Sequence, residues 1–303
     1  MAKRAQNSVG RFLVIAVPYL WLTLFFIVPF LIVLKISLSH DVIARPPYAP
    51  LLDLSQGWQG LKAFVSQLDF SNYALLARDT IYLDSYLQSL RLAAFATLTL
   101  LLVGYPIAYA MARAPERIRP LLVMAIILPF WTSFLIRIYA WMGILSREGF
   151  LSQFLLYLGI TDQPVEILYT NTAVYIGIVY SYLPLMVLPL YAALEKMDRS
   201  LLEAASDLGA SPLRAFWRVT FPLSLPGVIA GSLLCFIPAV GEFVIPDLMG
   251  GSDTLMIGKT LWTEFAVNRS WTVSSAVAVI LLFVLIVPIL LYQRVEARSL
   301  QVK

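Results

Sequence analysis

Long apolar runs alternate with shorter polar segments along most of this chain. A helix that crosses a bilayer needs about 20 predominantly apolar residues. The runs that reach this length, each of which predicts a spanning helix, are Phe12–Leu34, Gln88–Met111, Leu121–Leu145, Ala173–Leu194, Leu223–Ile245 and Thr272–Tyr292. The pattern therefore predicts an all-α integral membrane protein with six transmembrane helices, built as one transmembrane domain over residues 1–303.

Composition supports the membrane assignment and removes several kinds of site. The chain is 60% hydrophobic and 13% charged, whereas a soluble domain carries about 25% charged residues. The single cysteine, Cys235, and the single histidine, His40, exclude a disulfide framework within the chain and a metal site rich in either residue. The net charge of +4 follows from cationic loops, so we expect no nucleic-acid partner.

Basic residues in the connecting segments predict the orientation. The first span follows Lys3, Arg4 and Arg11. Its apolar stretch exceeds the about 7–15 residues of a cleavable signal, and no A-x-A-like site follows it, so we expect an uncleaved anchor. Cytoplasmic loops are enriched in lysine and arginine, and placing the N-terminus inside puts most of these residues inside. Both termini and the loop 195–222 are then expected to be cytoplasmic.

The loop 195–222 is polar and carries several helix signals. Ser200-Leu-Leu-Glu203 has the capping-box pattern, in which serine caps a helix and glutamate reaches back to it. Gly209 stands where a left-handed C-terminal cap is expected. Ser211-Pro212 then restarts a helix as N-cap and first helical residue. The loop predicts two short cytoplasmic helices joined at a glycine.

Both predicted helices have an apolar stripe. Phe221-Pro222 is expected to end the second helix before the next span. The stripe residues are Leu201, Leu202, Ala205 and Leu208 in the first helix, and Leu213, Phe216 and Trp217 in the second.

Glu203-Ala204-Ala205 followed by Gly209 resembles the EAA loop of permease subunits of ATP-binding-cassette (ABC) importers. The family pattern ends in Ile-x-Leu-Pro, where this chain has Val219-Thr-Phe-Pro222, with other apolar residues replacing Ile and Leu. The resemblance implies the type I ABC importer permease fold and a coupling helix that docks on a separate ATPase. The alternative is a helix pair that serves packing alone. The coupling residues it implies are Glu203, Ala204, Ala205, Gly209, Ser211 and Pro212.

Two further segments, Pro129–Ala140 and Asp247–Gly251, resemble the permeases of bacterial putrescine/spermidine importers. The likeness covers essentially the whole chain. It implies ATP-driven import of polyamines across the bacterial inner membrane by a subunit that is not itself an enzyme. The implied partners are an ATPase dimer, a homologous second permease and an extracytoplasmic polyamine-binding protein. No cofactor is expected in this chain, because ATP and magnesium would bind the ATPase.

Gly258-Lys-Thr260 imitates the end of a phosphate-binding P-loop. That motif requires a glycine five residues earlier, where this chain has Asp253. The loop is also expected to face outward, away from cellular ATP. We therefore expect no nucleotide site here. No G-x-S-x-G, H-E-x-x-H or paired-cysteine pattern indicates catalysis elsewhere in the sequence.

Arg91, Arg137 and Glu242 fall within or at the edges of predicted spans, where a central charge costs roughly 2.5–3.5 kcal/mol on insertion scales. Glu242 is placed either to receive a substrate ammonium group or to form a salt bridge, with Arg137 as the expected partner. Asp247, in the acidic outer loops, is a further candidate for the substrate pathway, unless these loops carry charge only for solvation. Aromatic residues that either offer cation–π faces or serve packing are Trp131, Tyr139, Trp141, Tyr180 and Tyr182.

Two alternatives to a polyamine importer stay open. One is an ABC importer permease for another small solute, such as ferric ion, thiamine or a phosphonate. Anions would need a basic pathway, which the acidic outer loops disfavour. The other is a self-contained secondary transporter or channel. Such proteins often show paired repeats with broken helices at corresponding positions, which this sequence does not show.

Overall fold

The structure is a computed structural model that describes residues 14–51, 55, 57–198 and 200–301. Helices form nearly all of its regular structure. In chain order the elements are α1 (Val14–Ser37), β1 (His40–Asp41), β2 (Tyr48–Ala49), α2 (Gly57–Ser66), α3 (Ser71–Arg78), α4 (Thr80–Arg113), α5 (Arg119–Ile127), α6 (Phe134–Leu145), α7 (Phe150–Tyr157), α8 (Asn171–Glu195), α9 (Ser200–Asp207), α10 (Pro212–Val240), α11 (Val244–Met249), α12 (Ile257–Trp262) and α13 (Trp271–Gln301).

Within the described residues, five helices are long and apolar enough to cross a membrane, namely α1, α4, α8, α10 and α13. A sixth candidate is a bent pair of segments, Arg119–Trp131 and Phe134–Tyr157, which meet at 88°. The predicted set of six spans is therefore present if the bent pair counts as one. Phe12, where the first span was expected to begin, lies outside the described residues.

The third predicted span, Leu121–Leu145, is interrupted by a sharp bend. The α-helix ends at Ile127, and a 3-10 turn at Leu128–Trp131 follows it. Thr132 is extended, with ψ 151°, and a new helix begins at Phe134. Pro129 explains the break in part, since proline lacks the N–H that continues an α-helical ladder.

The fifth predicted span, Leu223–Ile245, ends earlier and begins earlier than expected. Its helix stops at Val240, so Glu242 lies in the turn before α11 rather than inside the span. At the other end, Phe221-Pro222 does not terminate the loop helix, which continues into the span from Pro212. A π-helical turn at Phe216–Thr220 widens the ladder just before the proline, which accommodates a residue that breaks a regular helix.

The chain divides into two compact units, of which the first comprises Met1–Thr80 and Leu261–Phe283. A buried asparagine, Asn72, organises its described part. The Asn72 amide nitrogen donates to the carbonyls of Ser37, at 2.9 Å, and Ser39, at 2.7 Å. Its amide oxygen accepts from the Thr272 hydroxyl at 3.3 Å. One side chain therefore ties together the end of α1, helix α3 and the start of α13.

The second unit comprises Ile81–Thr260 and Val284–Lys303, and its core lies between α8 and α10. Small residues set the distance between these helices. A Cβ atom on Gly227 would lie 2.6 Å from the Ala193 Cβ, and one on Gly231 would lie 3.0 Å from the Met186 carbonyl oxygen. The first distance is shorter than real Cβ contacts, and the second is tighter than most of them. Glycine therefore permits the close backbone approach by which membrane helices associate.

Candidate functional site

The turn after α9 has the geometry that its glycine predicts. Gly209 adopts φ +77°, a left-handed conformation that favours glycine. The Gly209 N–H donates to the Ser206 carbonyl at 2.9 Å, and the Ala210 N–H donates to the Ala205 carbonyl at 3.0 Å. This pair of bonds forms the Schellman arrangement that closes a helix C-terminus. The predicted glycine cap is confirmed.

The restart of the chain at Ser211-Pro212 is confirmed as well. Ser211 is extended, with φ −64° and ψ 156°, and Pro212 is the first helical residue. The Ala215 N–H donates to the Ser211 carbonyl at 2.9 Å. The Ser211 side chain makes no capping hydrogen bond, so proline and backbone geometry alone start this helix.

The predicted capping box at Ser200 is wrong by two residues. The Ser200 N–H donates to the Asp198 carboxylate at 2.9 Å, which makes Asp198 the N-cap. That bond, together with one from the Ser200 side chain, lowers the pKa of the Asp198 carboxyl group from its usual value. The N–H that Glu203 was expected to accept is therefore already used. Glu203 stands exposed in the first turn of α9.

The loop between α8 and the fifth span presents an apolar surface. Leu208 is 89% exposed and Leu213 is 69% exposed, one on each side of the Gly209 turn. Trp217 and Leu201 are also exposed, whereas Ala205 is half-buried. Ala204, next to Glu203, is exposed too. We refer to Leu201, Leu208, Leu213 and Trp217, with Glu203 and Ala204 beside them, as the loop surface.

An aromatic cluster fixes the base of this loop to α4, which sequence reasoning missed. The Phe216 ring packs edge-on against Tyr105, at 5.5 Å between centroids, and against Tyr109, at 6.5 Å. The Tyr105 hydroxyl also hydrogen-bonds the Ser224 hydroxyl at 2.8 Å. Tyr105 and Tyr109 are spaced four residues apart on a helix, so both face the same neighbour. That spacing was the available signal.

Glu242 occupies a connecting turn and uses both of its carboxylate oxygens. Oε1 accepts the N–H groups of Val244, at 3.0 Å, and Ile245, at 3.4 Å, and so caps α11. Oε2 accepts a hydrogen bond from the Tyr182 hydroxyl. Tyr182, considered in the sequence as an aromatic face, is in fact the partner of this carboxylate through its hydroxyl.

The salt bridge between Glu242 and Arg137, one of the two alternatives for this carboxylate, is not formed in the described part of the chain. An ion pair in this unit joins Arg119 and Glu195, at 3.6 Å, and includes neither Glu242 nor Arg137. The Arg137 guanidinium instead stands over the rings of Phe130, at 5.3 Å, and Phe134, at 5.7 Å. Rings rather than a carboxylate stabilise this cation within the described part of the chain.

The other predicted pathway residues do not gather around Glu242. Trp131 is 74% exposed at the end of the 3-10 turn, and Tyr139 is 56% exposed on α6. Tyr180 is half-buried against Trp141, with ring centroids 5.2 Å apart. Asp247 is exposed on α11. Within the described residues, none of Trp131, Tyr139, Tyr180 and Asp247 forms a hydrogen bond with Glu242.

The P-loop imitation has structural roles. The Lys259 ammonium donates to the Pro246 carbonyl at 3.3 Å. The Thr260 hydroxyl bonds the Met256 carbonyl, at 3.1 Å, and the Ser85 hydroxyl, at 3.0 Å. A Cβ on Gly258 would lie 2.4 Å from the Gly241 carbonyl oxygen. This segment therefore packs directly against the turn that carries Glu242.

Two adjoining cavities lie where α4 and α8 end. Their volumes are about 520 and 640 Å³, and both are lined by Glu116, Arg119 and Glu195. The Tyr191 hydroxyl donates to Glu195 at 2.7 Å, and Trp131 lines the larger cavity. Carboxylates, a guanidinium and aromatic rings thus border these two cavities, which sequence reasoning did not anticipate.

Comparison with known proteins defines the class. Residues 104–301 match the family described as "Binding-protein-dependent transport system inner membrane component". A bacterial alginate ABC transporter, crystallised in complex with an alginate pentasaccharide-bound periplasmic protein, matches with a TM-score of 0.71 at 15% identity. That match covers 99% of this chain and 98% of the other. The fold is therefore the type I fold of ABC importer permeases.

The chain belongs to the family of binding-protein-dependent transport system inner membrane components. It is a multi-pass membrane permease subunit. The chain is 48% identical over 223 residues to the spermidine/putrescine transport system permease protein PotB of Salmonella typhimurium strain LT2. The aligned region covers 74% of this chain and 77% of that protein. It is 39% identical over 289 residues to the PotB protein of Haemophilus influenzae, which covers 95% and 94%.

The cap of α9 can be tested by hydrogen–deuterium exchange of the peptide that contains residues 200–208. Asp198→Ala should accelerate exchange in the first turn, because it removes the acceptor of the Ser200 N–H. Ser200→Ala keeps that N–H and should have a smaller effect. Faster exchange in Ser200→Ala than in Asp198→Ala would instead identify Ser200 as the cap.

Proposed function

We propose that this chain is the permease subunit of an ATP-driven importer of polyamines such as spermidine and putrescine. The observation that carries the proposal is 39% identity, across 289 residues and 95% of the chain, to a spermidine/putrescine permease. The complete importer would contain a homologous second permease, two copies of an ATPase that binds ATP and magnesium, and an extracytoplasmic polyamine-binding protein. We expect no nucleic-acid partner.

The proposed orientation places both termini and the loop surface in the cytoplasm. Its support is the distribution of lysine and arginine, because short cytoplasmic loops are enriched in these residues. Arg113, Arg119 and Lys196 all lie at helix ends that this orientation puts inside.

Reporter fusions test the orientation. A reporter that works only in the cytoplasm should be active when it is fused after Lys303 or inserted near Ser211. One inserted near Gln56 should report the opposite side. An extracytoplasmic signal near Ser211 would contradict both the orientation and the assignment of the loop surface to an ATPase.

The loop surface is the part of the chain we assign to ATPase docking. Its exposed leucines and tryptophan offer apolar area that a partner can bury. The Schellman turn at Gly209 fixes the angle between its two helical segments. The cluster of Phe216 with Tyr105 connects the loop to α4. Force applied to the loop would therefore reach a spanning helix through packed side chains.

Gly209→Val tests this coupling. No atom lies within 4 Å of a Cβ at Gly209, so the variant acts through backbone strain rather than through a clash. A left-handed L-residue costs roughly 1–2 kcal/mol, which should lower the population of the native turn about 5- to 30-fold. We expect a matching loss of polyamine-stimulated ATP hydrolysis in reconstituted complexes, with normal membrane levels.

Gly159→Val is the matched control. Gly159 also has a positive φ, +65°, with no atom within 4 Å of a Cβ, but it follows α7 in a loop expected outside. The same backbone penalty there should leave ATPase coupling intact. A second coupling variant, Glu203→Lys, places a cation in the first turn of α9, which the helix dipole disfavours. Wild-type stimulation in both Gly209→Val and Glu203→Lys would contradict the coupling assignment.

We place Glu242 in the substrate pathway on electrostatic grounds. A polyamine carries ammonium groups that are costly to desolvate without a facing carboxylate. Glu242 lies between two segments of the second unit, with Tyr182 on α8 as its partner. An arriving ammonium would compete with the Tyr182 hydroxyl for Oε2, while the Oε1 cap of α11 stays in place. Tyr180 and Asp247 remain pathway candidates.

Uptake of labelled putrescine and spermidine by the reconstituted complex tests substrate and pathway together. Hydrogen bonds to charged groups contribute about 1.5–3 kcal/mol, so Glu242→Gln should lower uptake about tenfold or more while basal ATP hydrolysis survives. Tyr182→Phe keeps the carboxylate and should transport nearly normally. Equal losses of assembled complex in the two variants would show that Glu242 only holds the turn. Absence of uptake by the wild-type complex would overturn the polyamine assignment itself.

A further inference from the structure

The break in the third span exposes backbone that lipid cannot satisfy. Thr132 and Ser133 are both extended and both exposed. Ser133 is the N-cap of α6 but makes no side-chain capping bond. Irregular backbone at membrane depth occurs only where protein or a water-filled cavity covers it. In the assembled transporter this break therefore faces something other than lipid tails.

One turn further on, the same region carries a cation without a carboxylate. Arg137 begins the second turn of α6, where its N–H bonds the Ser133 carbonyl at 3.2 Å. Its Nε atom is buried and has no hydrogen-bond partner in the described part of the chain. The rings of Phe130 and Phe134 hold the guanidinium in place. A charged residue inside a span should face protein or water and find a partner there.

The surroundings indicate a dry surface rather than an aqueous one. Trp131 is 74% exposed, Ile136 is 66% exposed and Phe130 is 42% exposed. Exposed apolar side chains around an uncapped helix end and a cation are typical of a surface that binds another protein. The protein surface that covers this region must supply a negatively charged group for the Arg137 guanidinium.

Resting on the proposed function, we propose that this break, from Phe130 to Trp141, is where the second permease subunit packs, and that a carboxylate of that subunit binds Arg137. A substrate polyamine is a poor occupant because both groups are cationic. A second copy of this chain related by a two-fold axis would present the same patch. The segment from Phe130 to Trp141 contains no acidic residue, so that copy would bring no carboxylate from this patch.

Photo-crosslinking in membranes that contain the complete transporter tests the proposal. A p-benzoylphenylalanine at Phe130 should form an adduct with the second permease, and mass spectrometry should locate that adduct near an acidic residue. The matched control carries the same photoreactive residue at Phe283, which is 59% exposed on α13. A stronger adduct from Phe130 than from Phe283 supports the interface. Equal labelling from both positions, adducts with lipid alone, or adducts with a second copy of this chain would overturn it.

Charge variants supply a second measurement. Arg137→Met should reduce the co-purified second permease about thirtyfold or more, because truncating one member of a buried charge pair is strongly unfavourable. Arg137→Lys keeps the charge and should retain part of the complex. Undiminished co-purification with Arg137→Met would overturn the role of Arg137. If the Arg137→Met variant fails to accumulate, the photo-crosslinking result decides whether the interface exists, because that experiment leaves Arg137 intact. Polyamine uptake by the wild-type complex tests the proposed function separately.

Discussion

The close approach of α8 and α10 is the constraint on which the second unit depends. Gly227 and Gly231 let the backbone of α10 approach α8 closely at Pro189 and Met186, because they add no side chain of their own. Two consequences follow at opposite ends of α10. At one end, Ser224 comes within reach of Tyr105, and Phe216 joins the aromatic cluster on α4. At the other, the chain leaves α10 beside α8, so that Glu242 meets the Tyr182 hydroxyl.

The spans and the loop turn were predictable because strong local signals specify them. Hydrophobic length locates five continuous spanning helices among the described residues, since a spanning helix must satisfy its own backbone in lipid. Gly209 and Pro212 were predictable for a similar reason. A left-handed cap and a first-turn proline depend on the chemistry of one residue and little on its neighbours.

Other features were not predictable because they depend on competition or on distant residues. Asp198 and Ser200 both suit an N-cap, and the structure uses Asp198, two residues earlier. Prolines lie within several of the spanning helices, yet among the described spans only the one that contains Pro129 is sharply broken. Glu242 was paired in the sequence with Arg137 because both are charged, whereas its actual partners are a tyrosine hydroxyl and two backbone N–H groups. Neutral donors such as a tyrosine hydroxyl or a backbone N–H cannot be recognised from the pattern of charged residues in a sequence.

The continuity of α10 has a mechanical consequence. Its 29 residues run without interruption from the loop surface to the turn of Glu242, a length of about 43 Å at 1.5 Å per residue. Such a helix acts as a lever. A tilt of a few degrees at the loop moves the far end by a few ångströms, comparable with the size of an ammonium group. The bending stiffness of α10, set at its π-helical turn and its internal prolines, therefore determines how much of any displacement at the loop would reach the turn of Glu242.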